Sequence, residues 1–210
     1  LFELGFFGVY TLAVNIANLP PQLVKRVFGS VLMPAIAEMK SRPREDMLAS
    51  LRRVRWKPTL AAMAGLAGLS SVSDVVVGFL YDEKFQEAGW MLSIILLGNA
   101  IGIVQASTAP ALIALGTPQY TAAGTALRFF YLVLALPLGF HLFGRVGAVV
   151  AMTLAEVPVW VTVTVGLRRL RLYFLRQDLL LIGAFAAVLA ALLGLRVFLG
   201  FGLPWDVRGG

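Results

Sequence analysis

Two ionisable side chains lie deep inside otherwise apolar stretches of this sequence, where a charge can bind a ligand or move a proton. Arg128 lies about eight residues, or roughly 12 Å of helix, into an apolar stretch that begins near residue 120. Glu156 lies near the middle of the next apolar stretch, between Thr153 and Pro158. Ionisable groups in such surroundings are costly, and they are candidates for function by default.

Each of these two residues has two possible roles. Arg128 can form the cationic wall of a central cavity that holds an anionic head group, or it can belong to a structural ion pair. Glu156 can pair with Arg128, because the two stretches are sequential and antiparallel. Alternatively, it can carry a proton or bind a cation during transport. The sequence leaves these alternatives open.

A third set of polar residues lies in the segment GVYTLAVNIANLPPQLVKRVFGSVLMPAIAEM, residues 8–39. At about 100° per residue, its polar members occupy roughly one third of a helix surface. This polar stripe consists of Thr11, Asn15, Asn18, Gln22, Lys25, Arg26 and Gly29. Because the neighbouring segments are apolar all round, we expect a membrane helix whose wet face turns to a bundle interior or a water-filled cavity. We also expect Pro20-Pro21 to kink this helix.

The members of the polar stripe also have alternative roles. Lys25 and Arg26 can snorkel to the cytoplasmic surface, or they can extend the cationic cavity wall. Asn15, Asn18 and Gln22 can bind sugar hydroxyls or water, or they can join neighbouring helices by hydrogen bonds. All five, with Arg128, are candidate substrate-binding residues, and Glu156 is the candidate for ion or proton coupling.

The composition indicates an all-α, polytopic membrane protein. Of the 210 residues, 59% are hydrophobic and 14% are charged, and the mean hydropathy is +0.84. The net charge of +7 does not indicate nucleic-acid binding, because the basic residues form short runs between apolar segments. Six stretches are long enough to cross about 30 Å of hydrocarbon. These spans are A, about 8–38; B, about 58–80; C, about 89–115; D, about 120–143; E, about 147–167; and F, about 179–203.

The loops between the spans predict the orientation in the membrane. Lysine and arginine are concentrated in loops 40–57 and 168–177, whereas the loop YDEKFQEA between spans B and C is acidic. Basic loops lie on the cytoplasmic side. With six spans both basic loops fall on that side, and a missed or additional span would put one of them outside.

Helical spacing and small residues predict further contacts. Within the first basic loop, apolar residues recur at helical spacing after Pro43, which predicts a short interfacial helix with Trp56 near the head groups. It is either a plain membrane-surface connector or a specific partner site. Gly98, Gly102 and Ala106 are four residues apart on span C and predict close approach of another helix. Small residues on span F predict that another helix also approaches span F closely. They are Ala186, Ala187, Ala190, Ala191 and Gly194.

No catalytic set, cofactor motif or metal site can be assembled from the sequence. It has one histidine, His141, which we interpret as interfacial, and it has no cysteine. Asp74, near the outer end of span B, is also most simply interfacial. The first residue is Leu1 and no signal peptide is visible, so we expect the chain to be part of a larger protein.

Three stretches carry a resemblance to a known family. The segment GVYTLAVNIANLPPQLVKRVFGSVLMPAIAEM resembles the second helix of the C-terminal lobe of polysaccharide flippases in the multidrug/oligosaccharidyl-lipid/polysaccharide exporter superfamily. FLYDEKFQEAGWMLSIILLGNAI resembles the connector and helix that follow in those proteins. ALGTPQYTAAGTALRFFYLVLALPLGFHLFGRVGAVVAMTLAE resembles their next helix pair. Together the similarity covers roughly residues 5–170.

The resemblance implies a two-lobed helical transporter that flips a polyprenyl-diphosphate-linked oligosaccharide between leaflets of the bacterial inner membrane by alternating access. Residues 1–177 would belong to the C-terminal lobe, and residues 178–210 would form an additional transmembrane helix and an outer tail. The implied partners are the lipid-linked oligosaccharide, membrane lipids and an N-terminal lobe of the same protein. The alternatives are a drug or cation exporter of the same superfamily, and an O-antigen polymerase or ligase.

Overall fold

The part of the chain that the structure describes forms seven α-helices. The computed structural model describes residues 4–38, 43–82 and 85–205, and these ranges contain no β-strand. The helices are α1 (Leu4–Glu38), α2 (Arg44–Ser71), α3 (Ser73–Leu80), α4 (Ala88–Ala114), α5 (Gln119–Leu154), α6 (Glu156–Arg169) and α7 (Leu175–Phe198). The prediction of an all-α bundle is confirmed.

Several of these helices are candidate membrane spans. The segments 88–114, 119–169 and 175–198 are each long and apolar enough to cross a bilayer. The pair α2–α3 is a fourth candidate if it is counted as one span, although it bends by 68°. By length alone α1 is also sufficient, with 35 residues, but its asparagines and prolines lower its hydropathy. These helices are those of a membrane protein.

Helix α5 contains the hairpin predicted between spans D and E. Gly144 has φ 60° and ψ −141°, a conformation that L side chains rarely adopt, and the chain reverses there. The two arms then pack closely, since a Cβ on Gly147 would lie 2.0 Å from the carbonyl oxygen of Gly139. Farther along, Gly124 lies against Val159. Residues 119–143 therefore run antiparallel to the arm that continues through α6, and the predicted hairpin is confirmed.

Helix α4 lies at the centre of the bundle and is buried along most of its length. A Cβ on Gly98 would lie 2.4 Å from the carbonyl oxygen of Thr153, so only glycine allows that approach. Gly102 lies beside the carboxylate of Glu156, with 3.7 Å between its ideal Cβ position and Oε2. The predicted close approach at span C is confirmed.

The corresponding prediction for span F is wrong for this bundle. Helix α7 packs through the larger residues Leu181, Phe185 and Leu189. Its small residues lie on the opposite, exposed side: Ala186, Ala187, Ala190, Ala191 and Gly194. The leucines and the phenylalanine bury more apolar area than alanine can, and this decides which face turns inward.

The predicted basic loop 40–57 is wrong from residue 44 onward. A helix begins after Pro43, as expected, but it continues without a break through Pro58 to Ser71. Residues 39–42 lie outside the described ranges. Met47, Leu51 and Arg55 are one turn apart and buried against the rest of the bundle. This buried stripe continues across residue 58, so tertiary packing extends the helix through the charged segment.

Helix α1 continues through Pro20 and Pro21 with help from α4. Pro21 has no N–H, so it cannot donate the hydrogen bond that the carbonyl of Ala17 would receive in a regular helix. The side-chain amide of Asn99 in α4 donates to this carbonyl instead. Asn99 and Ala17 are both buried, so the bond satisfies a group that has no access to water.

This contact predicts a coupling between Asn99 and Pro21. We expect Asn99→Leu to lower the free energy of unfolding by about 1–3 kcal/mol, because the Ala17 carbonyl loses its donor. In a Pro21→Ala background residue 21 regains its N–H, so the same substitution should cost clearly less. Thermal unfolding of the purified protein in detergent measures both costs. Equal costs in the two backgrounds would contradict this role for Asn99.

Candidate functional site

Arg128 and Glu156 form an ion pair. Nη1 of Arg128 lies 2.8 Å from Oε1 of Glu156. The Arg128 side chain is 43% exposed and the Glu156 side chain 17% exposed. Of the alternatives left open by the sequence, the structure has the paired arrangement, and it leaves much of the guanidinium accessible.

Three helices converge at this ion pair. Glu156 is the first residue of α6, and only Ala155, itself in a helical conformation, separates it from the end of α5. The Glu156 carboxylate lies against Gly102, and Gly102 is about 20 Å of helix from either end of α4. From α1, the Tyr10 hydroxyl contacts the sulfur of Met152, one turn before Glu156, and Arg128 lies within electrostatic range of Tyr10. The ion pair is therefore at mid-depth in the bundle, where α1, α4 and the hairpin meet.

The polar stripe of α1 turns away from the described bundle. Asn15, Gln22, Lys25 and Arg26 are exposed, and Asn18 is half-buried. The opposite face packs on the bundle instead, through Ala13, Ala17, Val24 and Phe28. The expected turn of the polar stripe toward the bundle interior is thus wrong for the helices described here. The buried face includes two alanines, which allow α1 to approach its neighbour closely, whereas Leu19, Leu23 and Val27 stay exposed.

The polar stripe and Arg128 are not joined by any of three cavities in the described ranges. Cavities of about 520, 500 and 190 Å³ occur in the described ranges, and none of the three is lined by Arg128 or by a residue of the polar stripe. Asn15, Asn18 and Gln22 form no side-chain hydrogen bond with another described residue. They remain available to a ligand or to another helix.

A buried polar cluster surrounds Arg55, and the sequence pattern does not predict it. Arg55, assigned above to a loop, is 1% exposed. Its Nη2 lies 2.8 Å from Oδ1 of Asp178 and 2.9 Å from Oγ of Ser107, and its Nη1 lies 3.3 Å from Oε1 of Gln177. The guanidinium also stacks over the ring of Phe174, 4.7 Å from the centroid. The cluster joins α2, α4 and the start of α7.

A second ion pair joins the other end of α7 to α3. Arg196 contacts both carboxylate oxygens of Asp74, and it donates to the carbonyls of Ser71 and Gly202. Asp74 is therefore a helix-joining residue, beyond the interfacial role expected above. Asp178 and Arg196 are about 27 Å apart along α7, close to the thickness of a hydrocarbon core. Both ends of α7 are thus held by charge, and the apolar run lies between them.

A sequence signal for these pairs exists, although it is weak. Arg55 and Asp74 are 19 residues apart on α2–α3, and Asp178 and Arg196 are 18 residues apart, one on each side of the apolar run of span F. Two parallel helices with charges in this order can pair at both positions. The signal becomes specific only when the two helices are known to be neighbours, which the spacing alone does not establish.

The described residues contain no group of three His, Asp or Glu side chains that could hold a metal ion. His141 is exposed, near the turn of the hairpin. Comparisons of this chain with protein-family models, with curated proteins and with solved structures gave no match. The candidate functional site is therefore the Arg128–Glu156 ion pair at mid-depth, with its accessible guanidinium.

The buried cluster predicts a large stability effect at Arg55. We expect Arg55→Met to lower the free energy of unfolding by about 3–5 kcal/mol, because the Asp178 carboxylate is left buried without its partner. The double variant Arg55→Met/Asp178→Leu should recover much of this loss, since neither charge remains. Thermal unfolding in detergent measures the difference.

Arg53→Met serves as the matched control, because Arg53 is exposed two residues away on the same helix. It should change the free energy of unfolding by well under 1 kcal/mol. A double variant as unstable as Arg55→Met, or a control equally unstable, would show that the ion pair does not hold α7.

Proposed function

We propose that this chain is part of a transporter that flips a polyprenyl-diphosphate-linked oligosaccharide from the inner to the outer leaflet of a bacterial inner membrane. The observation that carries the proposal is the Arg128–Glu156 pair, which has a partly exposed guanidinium at mid-depth in an apolar helical bundle. The segment resemblances described above point to the same class of protein. No bond needs to be made or broken in such a process.

The chemistry of Arg128 suits a diphosphate. A guanidinium has five N–H donors in a planar fork that matches the oxygens of a phosphate group. The ion pair engages Nη1 with one oxygen of Glu156, and 43% of the side chain stays exposed. Donors remain for an anionic head group, whose water would be replaced by fixed polar groups during the crossing.

Glu156 then acts as an exchangeable counter-ion. In the empty state it neutralises Arg128, so that no unpaired charge remains in apolar surroundings. A bound diphosphate takes over this role and releases the carboxylate, which can then take up a proton or a cation. Arg128 is thus paired in both the empty and the substrate-bound state, so the free-energy cost of its charge stays low. The released carboxylate also provides a route by which an ion gradient can drive the transport cycle.

The polar stripe of α1 has a place in this proposal. Lys25, Arg26, Asn15, Asn18 and Gln22 face away from the described bundle and are free to line the side of the cavity completed by a second lobe. Lys25 and Arg26 lie beyond Pro21, toward the predicted cytoplasmic end, where a lipid-linked substrate would enter. A drug or cation exporter is disfavoured, since the acidic group at mid-depth is already neutralised by Arg128.

The proposal predicts that transport depends on the charge of Arg128 itself. Removing a hydrogen bond to a charged group costs about 1.5–3 kcal/mol, so Arg128→Ala should slow flipping by roughly tenfold to a hundredfold. The measurement follows the appearance of the lipid-linked oligosaccharide in the outer leaflet, where a membrane-impermeant glycosidase can cleave it. The amount of inserted protein is measured in the same cells.

The double variant Arg128→Ala/Glu156→Gln separates anion binding from simple charge pairing. If Arg128 binds the substrate, the double variant stays as slow as Arg128→Ala, although no carboxylate is left unpaired. Recovery of transport in the double variant would mean that Arg128 only neutralises Glu156, and the proposal would be wrong.

The coupling role of Glu156 is tested separately. Glu156→Gln should alter the dependence of transport on pH or on the coupling ion, because the side chain can no longer be protonated. Full transport with an unchanged dependence on both would remove this role and leave the substrate assignment of Arg128 intact.

A further inference from the structure

A basic groove opens between α2 and the start of α7. It has a volume of about 500 Å³ and is lined by Arg52, Arg53, Trp56, Lys57, Arg176, Gln177 and Leu180. We refer to it as the arginine groove. Four of these seven residues are cationic and none is acidic. Such a lining attracts an anion, and its location is separate from the mid-depth ion pair.

The positive charge of the arginine groove is not neutralised by the described protein. No ion pair joins any of its four cations to a described carboxylate. No acidic residue lies three or four positions from any of them along its own helix. The nearest acidic residue in the sequence, Asp178, is buried and engaged by Arg55. Four like charges facing one opening repel each other until an anion enters.

The groove lies at the level where lipid head groups are expected. Its lower wall is Leu180, which is 54% exposed and belongs to the uncharged run from Leu179 to Leu195, about 25 Å long. That run fits the hydrocarbon core, so the cations just before it lie at its boundary. Trp56 is 38% exposed in the same wall, and tryptophan favours this interfacial layer.

We propose that the arginine groove is a binding site for one anionic phospholipid of the surrounding bilayer. The phosphate would sit among Arg52, Arg53, Lys57 and Arg176, and an acyl chain would run down over Leu180 along α7. Basic pockets between helices on the cytoplasmic side are suited to anionic head groups. A zwitterionic phospholipid would add a cationic group to a cationic site and would bind less well. This inference does not depend on the proposed transport function.

The test compares three ligands on the delipidated protein in detergent. Dioleoyl phosphatidylglycerol should raise the temperature of unfolding in a saturable manner. Dioleoyl phosphatidylcholine and inorganic phosphate, each at the same concentration, should not. A full effect from inorganic phosphate would identify a site for a free anion, and an equal effect from phosphatidylcholine would show that the head group is not selected. Either result would overturn the proposal.

Paired variants test where the lipid binds. Arg53→Gln/Lys57→Gln removes two cations from the groove and leaves both the Arg55–Asp178 pair and the bond from Arg52 to the Tyr173 carbonyl in place. At about 1 kcal/mol per basic residue, the affinity for phosphatidylglycerol should fall at least about tenfold. Titrating the lipid against the unfolding temperature gives this affinity.

The matched control is Arg169→Gln/Arg171→Gln, which removes two exposed cations from the same end of the protein but outside the groove. It should keep at least half of the original affinity. Equal losses in the two double variants would mean that only the general surface charge attracts the lipid. If either double variant proves unstable, Lys57→Gln and Arg171→Gln give the same comparison with one charge each, and equal losses there would overturn the assignment.

Discussion

The fold depends on the pairing of polar groups that have no access to water. Arg55 is almost fully buried, and its charge is tolerable because Asp178, Ser107 and Gln177 meet it from two other helices. The Ala17 carbonyl, which Pro21 leaves without a donor, is satisfied in the same way by Asn99. Each of these bonds joins segments that are far apart in sequence. In apolar surroundings, the cost of leaving one partner alone makes these contacts specific for a single arrangement of the helices.

The same constraint separates structural from functional polar residues. In the Arg55 cluster the guanidinium is 1% exposed and is engaged by Asp178, Ser107 and Gln177. The Arg128–Glu156 pair differs, since it lies at mid-depth but keeps its guanidinium partly open. The polar stripe of α1 and the arginine groove are more open still. Accessibility together with incomplete pairing distinguishes the residues that have capacity for a ligand from those that hold helices together.

Much of the architecture could be predicted, while several contacts could not. The turn at Gly144 and the glycine contacts of α4 follow from local residue types, because only glycine allows that backbone conformation and that approach. Where α2 begins, the sequence predicts a basic loop with a short interfacial helix, whereas the structure has one continuous helix in which Arg55 is a core residue. The prediction that the small-residue face of α7 packs against another helix is wrong as well. Composition shows that such a face permits close packing, but it does not show which neighbour is available.

Residue types and their order were enough to establish the helical class, the apolar lengths, the hairpin and the possibility that Arg128 meets Glu156. These properties are local, or they follow from two segments adjacent in the chain, so the information is carried by short stretches of sequence. The pairing of Arg55 with Asp178 and of Asp74 with Arg196 was decided only when α2 and α3 packed with α4 and α7. The outward turn of the α1 polar stripe was likewise decided only when α1 packed on α4. A charge has no intrinsic preference among distant partners; the choice depends on which helices bury the most apolar surface against one another, and that is a property of the whole bundle.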